Sequence, residues 1–305
     1  MEMPTLRQLE YALAVAEHGH FGRAAAALHI SQPGLSAQVR ELERRLGVVL
    51  FERSRATTRP TPAGVEVLAR ARRLLADAAD LVRVAQSHEG AVRGRVRLAA
   101  IPTLAPYLLP AIVVELRRRW PDVELELAEL RTAELVAAVV DAEVDLGLLA
   151  TPVDTGGLEV ADLGFEPFLL AVAAGHELAG VDDVPATVLG EVDLLLLEDG
   201  HCLRDHALAA CRLAGAAGSH RDVRNASLAV LGQMVAGSDA ATLLPASAAG
   251  VEARPGSGVV TRSFAERDMG RMVSMVWRPS DPRSSLFAEA ADALVDVVAA
   301  ATPRR

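Results

Sequence analysis

Both cysteines of the 305-residue chain lie in one short stretch, HCLRDHALAAC, from His201 to Cys211. Thiolates are nucleophiles, metal ligands and oxidisable groups, so a close pair could do chemistry or merely pack. The surrounding residues read as helix. Leu203, Ala207, Ala210 and Ala214 repeat at spacings of 4, 3 and 4, Asp199 and Gly200 precede them as turn residues, and Gly215 is a C-terminal stop. Nine residues of helix turn through about 900° and rise about 14 Å, whereas a disulfide needs Cα atoms about 4.4–6.8 Å apart. Either the cysteines are unrelated core residues, or a bond between them requires this helix to come undone. Cys202 is expected at the N-terminal end, opposite the apolar stripe. There the positive end of the helix dipole and the neighbours His201 and Arg204 favour a reactive thiolate. Cys211 falls at the edge of the stripe, at least half buried, with Arg212 as its only charged neighbour, and is expected to be the less reactive thiol. His201, Cys202, Asp205 and His206 also crowd together, with Cys202 and His206 at i, i+4. No second cluster supplies further ligands, so neither a metal nor another cofactor is expected.

Composition narrows the classes. Hydrophobic residues make up 51% of the chain, enough for packed cores in two or three domains. No apolar run approaches the ~18 residues of a membrane span, and the N-terminus lacks the pattern of a secretory signal. A cytoplasmic protein without a membrane partner is expected, in which a disulfide would be transient and functional. The net charge of −9 is uneven: residues 1–92 carry 12 arginines against 10 carboxylates, the remainder 19 against 30. A mildly basic head on an acidic body suits a small nucleic-acid-binding unit attached to a larger one. The sequence holds no glycine-rich phosphate loop, HExxH, CxxC or GxSxG, so nothing in it points to an enzyme.

The elements that must position these residues begin with TLRQLEYALAVAEHG, a helix with Leu6, Leu9, Leu13 and Val15/Ala16 near one face, closed at Gly19. A short helix, FGRAAAAL, leads to the turn His29-Ile30-Ser31. Ser31 is an N-cap and Pro33 sits in the first turn of the next helix, where a missing N–H costs nothing. Leu35, Val39, Leu42 and Leu46 form its inward stripe; outward lie Pro33, Ser36, Ala37, Arg40 and Arg44, with Gln32 at the tip. Such a face suits entry into the major groove of double-stranded DNA, although a solvated helical hairpin would look similar. Arg53, Arg55 and Arg59 follow in a polar loop suited to a wing along the phosphate backbone or minor groove. Thr61 and Pro62 then open a helix to about residue 87. Its stripe Leu68, Ala71, Leu75, Ala78, Val82 and Ala85 reads as a two-helix seam, most simply against a second copy, with packing on its own domain as the alternative. From Gly94 strands and helices alternate: VRLAAIP, LLPAIVVELRRRWP, VELELAEL, AELVAAVVDAE and VDLGLLA form a βαβαβ run.

The segment FGRAAAALHISQPGLSAQVRELERRLGVVLFERS, and with it the whole chain, resembles the LysR-type transcriptional regulators. That resemblance implies a winged helix-turn-helix over 1–61, a dimerising linker helix over 62–90 and a regulatory domain over 94–305. The regulatory domain is expected to be a periplasmic-binding-protein-like α/β unit of two Rossmann-like lobes. Lobe I would take about 94–150 and 268–305, and lobe II about 151–267. Gly34 departs from the family, which usually carries a side chain there. LEDGHCLRDHALAAC, IPTLAPYLLP and SLAVLGQMVAGSDAATLLPA resemble the peroxide-responsive members of the family. By that resemblance Cys202 would react with hydrogen peroxide and Cys211 would resolve it as a reversible disulfide. Thr103, Thr132, His201 and Arg271 would line the peroxide pocket, although Thr132 could serve only as an N-cap and Arg271 only as a surface ion-pair partner. His206 stands where a neutral polar residue is common and could tie oxidation to pH. The resemblance further implies operator DNA as partner, an activator or repressor role, a dimer through the linker helix within a homotetramer, a thiol reductant for reset, and RNA polymerase as a contact. Two other readings stay open. A regulator of this family could answer a small metabolite between the lobes, its cysteines incidental; a thiol peroxidase would leave residues 1–90 without a purpose.

Overall fold

The computed structural model of the chain describes residues 3–53, 57–86, 94–213, 215, 220–224 and 226–302. They form two compact units, one built on the first ninety residues and one on nearly all of the rest.

The first unit holds helices α1 (Leu6–His18), α2 (Phe21–Ala27) and α3 (Gln32–Leu46), strands β1 (Phe51–Arg53) and β2 (Thr58–Pro60), and the long helix α4 (Pro62–Gln86). Local sequence sets each boundary. Thr5 and Gln8 exchange side chain-to-backbone hydrogen bonds in a capping box, and α1 ends on Gly19 in the left-handed conformation, φ 59°. The Ser31 hydroxyl accepts from the Gly34 N–H at 3.3 Å and so caps α3. Gly64 lets α4 start against the wing: a Cβ there would stand 2.1 Å from the Leu50 carbonyl oxygen.

The core gathers Leu9, Ala12, Val15, Phe21, Leu35, Val39, Leu42, Phe51, Leu68 and Ala71. Two expectations need correction. Leu6 is 49% exposed, and α1 instead buries Gln8, Leu9, Tyr11, Ala12 and Val15, because the capping box turns Gln8 inward to meet Gln38 at 3.2 Å. In α4, Leu68, Ala71 and Leu75 pack on the head's own core, so this part of the stripe is not open to a partner. Among the described residues of that helix, the exposed large apolar side chains are Val65, Leu74, Leu81 and Val82. Ala85 lies outside the residues whose side chains are described.

The second unit contains β3 (Gly94–Ala100), α5 (Ala105–Arg119), β4 (Val123–Glu129), α6 (Thr132–Val140), β5 (Leu146–Thr151) and the fifteen-residue β6 (Glu159–Ala173). There follow β7 (Leu194–Leu197), α7 (Cys202–Leu213), β8 (His220–Val223), α8 (Leu228–Ala236), β9 (Thr242–Pro245), α9 (Ala246–Glu252), β10 (Val259–Ser263), β11 (Gly270–Trp277) and α10 (Ser284–Ala301). The main sheet runs β10-β6-β11-β5-β3-β4, with β9 also on β6. Its parallel part, β4-β3-β5, is the βαβαβ run. β11 lies antiparallel between β5 and β6. β6 belongs to both lobes: Glu159–Pro167 pair with β11, and Phe168–Ala173 pair with β9 and β10. Lobe II is completed by the parallel pair β7-β8 and an apolar core that takes in Leu203, Ala207 and Ala210 of α7. Across the lobes, the Tyr107 hydroxyl of α5 donates to Glu252 of α9 at 2.7 Å.

Charge is buried beneath α10. Asp145 accepts from Arg97 and Arg283, while Asp281 accepts from Arg278 and Arg283. Arg283 also lies over the Phe287 ring, 4.9 Å from its centroid. Single buried charges are costly and paired ones are retained, so this cluster fixes how β3, β5 and α10 meet.

Candidate sensing site and nucleic-acid face

Cys202 and Cys211 both occur as free thiols on one unbroken helix, α7. Over nine helical residues their Cα atoms are separated by about 14 Å, so the thiol form holds the sulfurs well beyond bonding distance. Cys202 is the first helical residue and is buried; Cys211 is half-buried, and its burial pushes the thiol pKa up. Two supports expected for a Cys202 thiolate are differently employed. Arg204 is committed to carboxylates, bidentate to Asp222 at 3.0 Å and 2.7 Å from Asp199. His201 is buried, and burial, assisted by the nearby Arg131 charge, moves its pKa down, so the ring is neutral.

Arg271 is no surface residue. Its side chain is fully buried at the start of β11, with Nε on Glu166 Oε2 at 2.8 Å, one terminal nitrogen on the Thr103 hydroxyl at 2.8 Å and the other on the Thr103 carbonyl at 3.1 Å. Gly270 permits this, because a Cβ there would stand 2.4 Å from the Glu166 carbonyl oxygen. Glu166 is itself fully buried and accepts the Ser247 N–H through Oε1. Thr132 opens α6, and its hydroxyl is buried with no hydrogen-bond partner among the described residues, so it is not spent as an N-cap. His201 Nδ1 and His206 Nδ1 are likewise buried and unpartnered. His206 Nε2 lies 3.3 Å from the Pro152 carbonyl oxygen, and the charge of Arg271 acts on the ring.

Sequence reasoning therefore named Thr103 and Arg271, which the fold joins directly, and Thr132 and His201, whose polar atoms stay open. It missed Glu166, the counter-charge on which Arg271 depends. The signal was present: a lone carboxylate inside the apolar strand LGFEPFLL. The domain's large cavity, about 1180 Å³, is elsewhere; Phe165, Phe168, Ala249, Phe264 and Met269 line it, and none of the four expected pocket residues does. Among the described residues no group of His, Cys, Asp and Glu is placed to hold a metal ion.

On the head, Ser31, Gln32, Pro33, Arg40 and Arg59 are exposed and Ser36 is partly so. Arg40 donates to Ser36 at 3.0 Å, holding the guanidinium along the outward face of α3. Of the expected inward stripe, Leu35, Val39 and Leu42 are buried, and Leu46 packs partly buried against the same core. Arg53 belongs to β1, but its side chain, and all of Arg55, lie outside the described residues.

A three-helix head with a β-wing, carried with a two-lobed α/β domain, defines a class of transcription regulator. Residues 6–65 match the bacterial regulatory helix-turn-helix proteins of the lysR family, and residues 89–299 match the LysR substrate binding domain. The chain belongs to the LysR family of bacterial regulators, and its fold is theirs rather than an enzyme's. Similar proteins include a probable hydrogen peroxide-inducible genes activator of Streptomyces viridosporus, 40% identical over 95% of this chain and 93% of that one. The DNA-binding transcriptional dual regulator OxyR of Escherichia coli K12 is 38% identical over 95% and 94%. Full-length OxyR C199D from Pseudomonas aeruginosa superposes with a TM-score of 0.81 at 32% identity, covering 96% of this chain and 95% of that one.

Proposed function

We propose that this protein is a DNA-binding regulator that senses hydrogen peroxide through Cys202 and Cys211. The observation that carries the proposal is the pair of free thiols on one continuous helix, with the buried Cys202 as its first residue. Peroxide-inducible and OxyR relatives spanning nearly the whole chain support it. Sγ of Cys202 attacks one peroxide oxygen, the O–O bond breaks, and water leaves a sulfenic acid. Cys211 then attacks that sulfur, expelling a second water and closing the disulfide. The helix between them must unwind for this, so α7 is the two-state element that the covalent bond biases. Thr103, Thr132, His201 and Arg271 line the peroxide site, supplying hydroxyl, imidazole and guanidinium groups that orient the O–O bond and stabilise the departing oxygen.

Ser31, Gln32, Pro33, Ser36 and Arg40 present α3 to the major groove, with Arg53, Arg55 and Arg59 on the flanking backbone. Residues 1–61, 62–90 and 94–305 act as head, dimerising linker and sensor of a homo-oligomeric cytoplasmic protein. It is reset by a thiol reductant and signals to RNA polymerase. Mass mapping before and after a brief stoichiometric peroxide pulse tests the chemistry: a crosslinked Cys202–Cys211 peptide is expected, and a Cys202→Ser protein that still switches its promoter with peroxide overturns it. The cavity of about 1180 Å³ favours a second reading, a regulator answering a small metabolite.

A further inference from the structure

We propose that His206 is the proton acceptor for the oxidation of Cys202, a role resting on the assignment of Cys202 as the peroxide-reacting thiol. Position supplies the first ground. Cys202 and His206 are four residues apart on α7 and both are buried. Helical side chains at i and i+4 share a face, and a long side chain leans back over the turn N-terminal to its own Cα. The two residues therefore lie on one face of α7, one turn apart.

Tautomer supplies the second. A carbonyl oxygen only accepts, so the contact with Pro152 at 3.3 Å places the ring hydrogen on Nε2. Nδ1 is then a bare lone pair, and it is buried with no partner among the described residues. A buried acceptor without a donor is costly, and such groups mark sites where something else binds or reacts. A thiol or peroxide proton is the donor this position lacks.

Charge supplies the third. Three charged or polar groups bear on His206: the Pro152 carbonyl after β5, Arg271 of β11 and Asp205 on its own helix. Burial is the main cause that lowers its pKa, and Arg271 adds to it, while the carbonyl and Asp205 oppose. The ring is thus neutral and able to accept near neutral pH. It also sheds a captured proton readily, because the charge of Arg271 disfavours the imidazolium. The step balances as follows. Nδ1 takes the Sγ–H proton, the sulfur pair attacks one peroxide oxygen, the O–O bond breaks, and the leaving hydroxide recovers that proton from Nδ1 as water. Sulfur loses two electrons, the peroxide oxygens gain them, and the retained oxygen keeps its hydrogen as Cys–S–OH.

The test follows the first oxidation step in the full chain carrying Cys211→Ser, so that the sulfenic acid accumulates and is trapped by dimedone. Rates are measured with hydrogen peroxide from pH 5.5 to 9.5, with and without His206→Gln. Gln keeps a donor for the Pro152 carbonyl, and thermal melts of both proteins check that the fold is retained. With His206 present, the rate is expected to be flat across neutral pH and to fall only in acid, as the imidazole protonates. With Gln, it is expected to drop about 10²-fold at pH 7 and to climb as pH rises, because only solvent then removes the thiol proton. Equal rates and equal profiles overturn the proposal, as does a His206 protein whose rate climbs steadily through neutral pH. If Cys202 takes no dimedone in either protein, the peroxide assignment itself has failed, a result distinct from both.

Discussion

Glu166 and Arg271 illustrate what a single residue decides in this domain. Both side chains are wholly excluded from solvent, so neither can be neutralised alone without stranding the other. Glu166→Gln is expected to cost about 3–5 kcal/mol, the range for breaking a buried ion pair, read as a lowered midpoint in urea unfolding of the full chain. Ser31→Ala is a milder case: loss of the N-cap should cost about 1 kcal/mol in the head, seen in its own melting step. Arg40→Ala should weaken operator binding uniformly across sequences and reduce the salt slope by about 1 if it meets a phosphate. Loss of discrimination at one base pair would instead mark a base contact. Residue types and their spacing made the thiol pair and the α3 face legible. Partnership was not, since a sequence names Arg271 without saying that a carboxylate 105 positions away will be buried against it.

Among the elements, α7 carries the argument for signalling, and its anchors are visible. Arg204 ties its first turn to Asp222 of β8 and to Asp199, while Leu203, Ala207 and Ala210 are held in the lobe II core. These ties oppose the unwinding that a disulfide demands. Arg204→Ala should remove up to about 1 kcal/mol, because the partners reach solvent. Amide hydrogen exchange should then quicken across 202–213, and disulfide closure should follow sulfenic acid formation faster. An unchanged exchange pattern would show that the ion pairs do not gate the helix. Helix boundaries were readable nearly to the residue wherever a cap or a glycine marks them, as at Ser31 and Gly19. The stripe of α4 was read less well. Periodicity identifies an apolar face but not what covers it, and the head's own core claims Leu68, Ala71 and Leu75 first.

At the scale of the whole molecule, the outward residues of α4 set the expectation for assembly. Leu74 is 52% exposed and Leu81 73%, so Leu81→Asp should shift the protein toward monomer in sedimentation velocity while leaving its helix content intact. Acid stability rests on the buried cluster of lobe I. Burial alone would raise the Asp145 pKa, but Arg97 and Arg283 outweigh it and hold the carboxyl below its ordinary range. A depressed folded pKa gives stability that is full above the unfolded value of about 4, and is lost as pH falls through the folded one. Asp145→Asn should therefore lower stability at pH 7 and flatten the acid limb of the unfolding profile.

The continuity of β6 has its own mechanical meaning. A clamshell receptor closes because its halves meet at bendable connections, yet here one uninterrupted strand is stitched into both halves, and β11 runs beside its first nine residues. Rotating one half against the other would shear ladder hydrogen bonds on both sides of the bulge at Leu163, so the paired strands resist hinge closure. If oxidation of α7 is the signal, it leaves by local reshaping of the surface around that helix, and scattering profiles of the reduced and oxidised protein should differ less than those of a closing jaw.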